Sequence, residues 1–257
     1  MTWNYKIKLI QALCYIGGPL VLIFNFNAWY LFYAWLAHWL IVHIGISIGL
    51  HRCFAHNSWV PKNKAILLML HFLTVINVVG STITWTGIHR KHHAYSETVN
   101  DPHCPTDKSF WTKVAYWFNY WKPHKVNVKF VRDLIDNPYH KFFHNNYFKV
   151  LISYMALLAV IDLDLFMYGF LVTTMFSLHL ISWITVGSHL FGSIDNNTND
   201  ESRNTWIMGL YMWGEGWHNN HHKKPRSYEF GWNSKQPDFG KHLIRLLAKP
   251  ESLVSHE

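Results

Sequence analysis

Nineteen of the 257 residues are histidine. Eight of them fall into three short clusters: His51-Arg52-Cys53-Phe54-Ala55-His56, His89-Arg90-Lys91-His92-His93 and His218-Asn219-Asn220-His221-His222. The second and third share the spacing H-x-x-H-H. Residues three and four apart are neighbours on one face of a helix, so each triplet is expected to aim three imidazoles into one site. His51 and His56 are five apart, which an undistorted helix splays by roughly 140°. They either straddle a helix end or serve two different metals. His189, at the end of a long apolar run, is a ninth candidate. Neutral imidazole suits zinc, copper, iron and nickel, and one ion takes about four to six ligands, so nine histidines imply two ions. An all-imidazole shell leaves the cation charge largely uncompensated, which favours reduced oxygen species and keeps the metal oxidising. The chemistry this implies is redox chemistry with O2; zinc has no redox chemistry of its own.

Three carboxylates, Glu97, Asp101 and Glu215, lie within a few residues of the clusters. They are expected to accept the second imidazole N–H and fix ring orientation, as metal-bound histidines usually require. Arg90 and Lys91 stand between ligands and either meet an acidic headgroup or CoA or form a solvated face. The other histidines read as bland: His38, His43, His71 and His179 as packing residues within apolar segments, and His103, His124, His140, His144, His242 and His256 as cap or surface residues.

The elements that must position these groups belong in a membrane. The chain is 50% hydrophobic and only 15% charged, where a soluble domain carries about a quarter charged residues. Apolar runs at 7–24, 29–50, 147–161 and 165–187 approach the roughly 20 residues that cross a bilayer; the third is the shortest. The turns within each pair, Asn25-Phe26-Asn27-Ala28 and Asp162-Leu163-Asp164, carry no Lys or Arg. By the positive-inside rule the histidine-bearing segments and both termini are cytoplasmic, giving four crossings. A fifth apolar stretch, 65–84, contains Asn77, Gly80, Ser81, Thr82 and Thr84; it is expected to dip in or lie against the other helices and return to the same side. The segments at 89–146 and 189–257 then form a cytoplasmic helical cap, with Trp111, Trp117 and Trp121 at headgroup level. The fold class expected is an all-α integral membrane protein, one domain over 1–257. The net charge of +8 suits anionic headgroups rather than nucleic acid, since the basic residues crowd between the apolar runs. Cys14, Cys53 and Cys104 show no paired spacing and imply neither a disulfide framework nor a cysteine zinc site.

At these residues the chain resembles the membrane fatty acid desaturases, especially the delta-9 acyl desaturases of bacterial and cyanobacterial type. The matching text is Gly49-Leu50-His51-Arg52 through His56, Trp85, His89 through His93 with Tyr95-Ser96-Glu97-Thr98 and Asp101-Pro102-His103. It continues with Ser188-His189-Leu190-Phe191-Gly192 and Gly214-Glu215-Gly216-Trp217 through His222. The resemblance implies two irons held by His51, His56, His89, His92, His93, His189, His218, His221 and His222. It also implies a kinked hydrophobic tunnel, O2 as oxidant, and a bacterial inner membrane or its equivalent. The acyl carrier it leaves open: lipid, CoA or carrier protein. With no fused heme motif, the electron donor is expected to be a separate protein such as ferredoxin, rubredoxin or cytochrome b5. Trp39, His43, Trp85 and Arg90 are the candidate substrate-binding residues, and bulky Trp39 is expected to limit acyl length. Two departures stand out. Thr185 occupies a position where many acyl-CoA members have asparagine, and Tyr120-Trp121-Lys122 replaces an Arg-Lys pair. A di-iron hydroxylase is the nearest alternative; a membrane metal carrier is a poorer one, because its polar groups would spread through the membrane thickness.

Overall fold

The computed structural model of the protein describes residues 3–103, 109–119 and 126–256. Cys104, Tyr120, Trp121, Lys122 and His124 lie outside the described residues, and so does the departure at 120–122. Among the described residues the fold is all-helical, with isolated β-bridges and no strand.

Helix α1 (Trp3–Phe24) turns through Asn25–Asn27 into α2 (Ala28–Val42), whose N-terminus is capped by Asn27 Oδ1 accepting from the N–H groups of Trp29 and Tyr30. Helix α2 continues without a break into a π-helix, π1 (His43–Ala55). Then come α3 (Lys64–Ile76) and α4 (Thr82–Tyr95), joined by a turn in which Val78 and Gly80 adopt positive φ. Short helices α5 (Phe110–Trp117), α6 (Arg132–Ile135) and α7 (Pro138–Asn145) follow. Helix α8 (Tyr147–Ile161) pairs with a continuous rod made of α9 (Leu163–Phe166), a second π segment, π2 (Met167–Val172), and α10 (Thr173–Thr185). The chain ends in α11 (Trp206–Tyr211), α12 (His218–Lys223) and α13 (Phe239–Leu247).

Among the described residues, three helices are long and apolar enough to cross a membrane: Tyr5–Phe24, Ala28–Ala55 and Leu163–His189. The fourth expected run, Tyr147–Ile161, is helical over 15 residues, short of the roughly 20 a perpendicular crossing requires. Helices α1 and α8 turn Leu9, Ile16, Ile23, Ile152, Leu157 and Val160 outward, each about half exposed or more. Such contiguous apolar faces mark contact with lipid or a partner rather than water. The two hairpins meet at one end of the molecule: Asn25 Nδ2 donates to Asp164 Oδ1 at 2.7 Å, and the Tyr168 hydroxyl accepts from Asn27 N at 2.7 Å while donating to the Asn25 carbonyl.

The stretch 65–84 is not one helix but the end-to-end pair α3 and the start of α4, both packed against π1. Two glycines permit that closeness. A Cβ on Gly45 would stand 2.8 Å from Leu73 Cβ, and one on Gly49 would stand 3.1 Å from Leu70 Cδ2. At the other end of the chain, the fully buried Arg52 guanidinium of π1 donates to both Asp238 oxygens (3.1 and 3.2 Å), to the Tyr228 and Trp213 carbonyls at 2.8 Å each, and stacks 4.0 Å over Phe230. This one side chain locks the C-terminal segments onto the helix that carries His51.

Candidate metal centre

All nine candidate histidines converge. The ring nitrogens of His51, His56, His89, His93 and His221 lie within 4.8 Å of one another. Their Nε2 atoms form a chain of close approaches: His56 to His89 at 2.7 Å, His89 to His93 at 3.1 Å, His93 to His221 at 3.0 Å and His221 to His51 at 3.0 Å. A second group holds His92, His189 and His222. His218 joins it, with its Nε2 at 3.2 Å from that of His189 and 3.1 Å from that of His222. The groups adjoin, the His93 and His222 ring centroids being 4.4 Å apart.

The structure corrects one expectation about spacing and decides between the alternatives of another, since His56 is the C-cap of π1 and the His51/His56 pair straddles a helix end. Neither H-x-x-H-H triplet serves one site. Helix α4 sends His89 and His93 to the first group and His92 to the second; α12 sends His218 and His222 to the second and His221 to the first. Positions i and i+4 sit nearly in line, whereas i+3 falls about 60° to the other side of i, so a helix aimed between two sites divides its histidines between them. His51 and His56, by contrast, do share a site. Between them the helix is wound as π, with the His56 N–H donating to the His51 carbonyl at 3.1 Å. An i→i+5 repeat brings residues five apart onto one face.

Carboxylates stand behind four of the rings. Nδ1–H donates from His51 to Glu215 Oε2 at 2.7 Å, from His92 to both Asp101 oxygens at 3.0 Å, from His189 to Glu97 Oε1 at 3.0 Å and from His222 to Asp200 Oδ2 at 2.7 Å. Glu97, Asp101 and Glu215 are the three expected from their nearness in sequence. Asp200 is the one that sequence reasoning misses: it lies 22 residues before His222 in a polar stretch with no pattern. Burial pushes the Glu215, Asp101 and Asp200 carboxyls up, but the hydrogen bonds and charges around them outweigh it and leave each below the usual carboxylate range. Glu97 reaches His189 from a backbone at φ 62°, a region L-residues seldom occupy. Its shape is held by the Asp101 carboxylate, which accepts from the Glu97 N–H at 2.8 Å.

The donor set fits a pair of cations. With Nδ1–H given to a carboxylate, Nε2 of His51, His189 and His222 must carry a lone pair, yet each faces another imidazole Nε2 at about 3 Å. The buried His92 Nε2 has no hydrogen-bond partner among the described residues. His218 Nε2 faces both His189 and His222 and can offer at most one N–H, so at least one of these lone pairs is left without a proton donor, a position that suits a cation. Burial, then repulsion from neighbouring rings, holds His56, His89, His93, His218, His221 and His222 well below the ordinary imidazole value, so they are neutral and competent to bind a metal.

Against the histidines lies a partly enclosed cavity of about 20 Å³, walled by Ile46, Trp85, Ile181, Ile184 and Thr185, room for about one water-sized molecule. Trp85 stacks on His89 with centroids 4.5 Å apart. Across α10 runs an open groove of about 290 Å³, lined by Trp35, His38, Phe176, Leu180, Trp183 and Tyr211 among others. Trp39 lies parallel to Trp35 at 6.4 Å and donates Nε1–H to the Tyr211 carbonyl at 3.2 Å; His43 Nε2 also bonds that carbonyl, at 2.9 Å. Arg90 is engaged within the protein, donating to the Ala55, Phe54 and Phe130 carbonyls and to both oxygens of Asp133. His103 and His140, read as cap or surface residues, are buried; His103 stacks on His92 at 4.2 Å.

The profile of the fatty acid desaturase family matches residues 27–230, which include all nine histidines. The chain belongs to this family. It is similar to the sn-1 stearoyl-lipid 9-desaturase of Synechocystis sp., at 31% identity over 80% of this chain and 64% of that protein. It is also similar to the sn-2 palmitoyl-lipid 9-desaturase of Nostoc sp., at 30% identity over 87% and 84% of the two chains. With the sn-1 stearoyl-lipid 9-desaturase of Anabaena variabilis the identity is 28% over 94% and 91%. The chain thus spans just under two thirds of the first of these desaturases and most of the other two.

Proposed function

We infer that this chain is an O2-dependent fatty acyl desaturase that places a cis double bond, at the delta-9 position, in a saturated long-chain acyl group carried on a lipid. The observation that carries this reading is the meeting of nine imidazoles, their Nε2 atoms turned inward, beside an apolar cavity. The stearoyl-lipid and palmitoyl-lipid names of the relatives support the acyl-lipid carrier. The first five histidines would hold one iron and His92, His189, His218 and His222 the other. So bound, the iron pair would supply the oxidising power to remove two hydrogens from adjacent methylenes. O2 would be reduced to two waters by the two electrons and two protons of those hydrogens, with two more protons from solvent and two more electrons from an external donor protein such as ferredoxin, rubredoxin or cytochrome b5.

The chain's own residues do the positioning. The carboxylates of Glu215, Asp101, Glu97 and Asp200 hold a proton on Nδ1 of their histidines, which keeps Nε2 unprotonated and the rings fixed. Ile46, Ile181, Ile184 and Trp85 keep the reacting space dry. The aromatic groove receives the acyl chain, and the fixed distance from the groove's end to the histidines selects the carbon attacked. Trp39, stacked on the groove-lining Trp35, sets the length accommodated, with His43 bracing it through Tyr211.

In this reading Tyr147–Ile161 makes a fourth, tilted or shortened crossing, and the histidine-bearing ends, both termini and the cap of short helices lie on the cytoplasmic side. The basic segments there and the Lys- and Arg-free hairpins opposite support that orientation. The test is lipid analysis of a host producing the chain, with iron measured in the purified protein. Desaturation removes two mass units from an acyl chain and yields a product with its double bond at the ninth carbon. A gain of sixteen would make the protein a hydroxylase, and iron-free protein that conducts ions in vesicles would make it a carrier.

A further inference from the structure

Between the end of π1 and the start of α3 is a third, open pocket of about 440 Å³, lined on one side by His140. Its floor is apolar, formed by Phe54, Trp59 and Leu67; its rim carries Lys62, Lys64 and Lys249 together with asparagine side chains. The lysines come from opposite ends of the chain and are held in register by backbone pairing. Lys62 N donates to the Leu247 carbonyl and Lys249 N to the Val60 carbonyl, both at 2.9 Å, around a Pro61–Ala248 bridge. Lys62 Nζ also donates to the Leu246 carbonyl at 2.6 Å. Among the described residues no carboxylate lines the pocket or pairs with these three amines. The nearest one bonded into the lining, Asp133, accepts from Asn57 at 3.0 Å and is neutralised by Arg90.

From this rim α3 runs away with an exposed apolar stripe, Leu68, Met69 and Phe72, in line with Lys64 at helical spacing. A cationic rim at the polar end of an apolar stripe matches the two halves of one molecule. We propose that this pocket binds the phosphodiester headgroup of an anionic glycerophospholipid whose acyl chain lies along α3. The site is distinct from the acyl groove, which opens on α10, and its lipid is a bound companion rather than a substrate.

The experiment is native mass spectrometry of the purified full-length protein titrated with phosphatidylglycerol or phosphatidylcholine. Phosphatidylglycerol is expected to be retained in preference, and Lys64→Gln with Lys249→Gln is expected to weaken its binding by about 25-fold, from about a factor of five for each lysine near a phosphate. The pair Lys64→Arg with Lys249→Arg keeps the charge and is expected to bind like the parent, which separates loss of the site from loss of fold. Equal retention of the two lipids, or undiminished phosphatidylglycerol binding by the Gln pair, overturns the proposal. So does displacement of the lipid by millimolar inorganic phosphate, which would make this a phosphate site without a lipid.

Discussion

The two histidine groups are built differently. The first has five imidazoles but a single carboxylate, Glu215, behind one of them; its rings are aimed by backbone, through the π winding of His43–Ala55 and the positions on α4 and α12. The second has four imidazoles and three carboxylates, Asp101, Glu97 and Asp200, each reaching a ring from a loop. A cation in the second group is therefore better compensated and its ligands are oriented from outside; one in the first depends on helix geometry and meets an almost neutral shell. Two ions held by these groups would not be equivalent, and the carboxylates would make them differ.

The largest effect that tests this contrast is expected from His221→Ala. His221 Nε2 lies 3.0 Å from both His51 and His93, so its loss opens the first group. Desaturation falls below detection and metal content drops toward one ion per chain; two ions retained would refute the division of ligands between the groups. Arg52→Ala comes next. It leaves the buried Asp238 and Glu215 carboxylates without their cation, at a cost of about 3–5 kcal/mol. Thermal unfolding in detergent measures it, and a near-silent change would mean that helix packing alone holds the first group.

Asp200→Asn is milder and more selective. Loss of an imidazole's outer partner weakens metal binding by about 10–100-fold, here at the second group, and chelator titration should show one ion leaving early. Loosening of both ions to the same degree would erase the contrast. The smallest effect is on pH. Six imidazoles are held below their ordinary value, so protons bind the unfolded chain first. The stability of the metal-free protein is whole above about pH 6.5 and drains as pH falls below it. Each of the six contributes to this slope, so a variant lacking any one of them, such as His221→Ala, should show a flatter pH dependence of the thermal midpoint than the parent.

Much of the site is legible without coordinates. The H-x-x-H-H repeats, the His51/His56 pair and His189 point to a metal-binding cluster because so many imidazoles at helical spacing have no ordinary packing use. Glu97, Asp101 and Glu215 are legible by nearness. What cannot be read is what depends on direction rather than spacing. A triplet's period says that its rings share a helix, not that the helix points between two sites. The π winding leaves little trace in His43–Ala55 beyond Gly45 and Gly49, whose role is set by the distant Leu70 and Leu73. Asp200 reaches His222 only through the tertiary path of the loop after His189. In the fold, three of the four expected apolar runs fall within helices long enough to cross a membrane, since composition alone marks them; the fourth, Tyr147–Ile161, is helical but short. The break of 65–84 into two helices is foreshadowed only as a return to the same side.

The clasp at the hairpin end has a mechanical consequence. Asn25, Asp164 and Tyr168 pin the α1–α2 turn to the start of the long rod that ends at His189, 27 residues in all. At about 1.5 Å per residue that rod reaches roughly 40 Å, with both tips tied: the near one to the opposite turn, the far one to the Glu97 carboxylate through His189. One uninterrupted stretch of backbone therefore fixes how far the outermost turn stands from the histidine cluster.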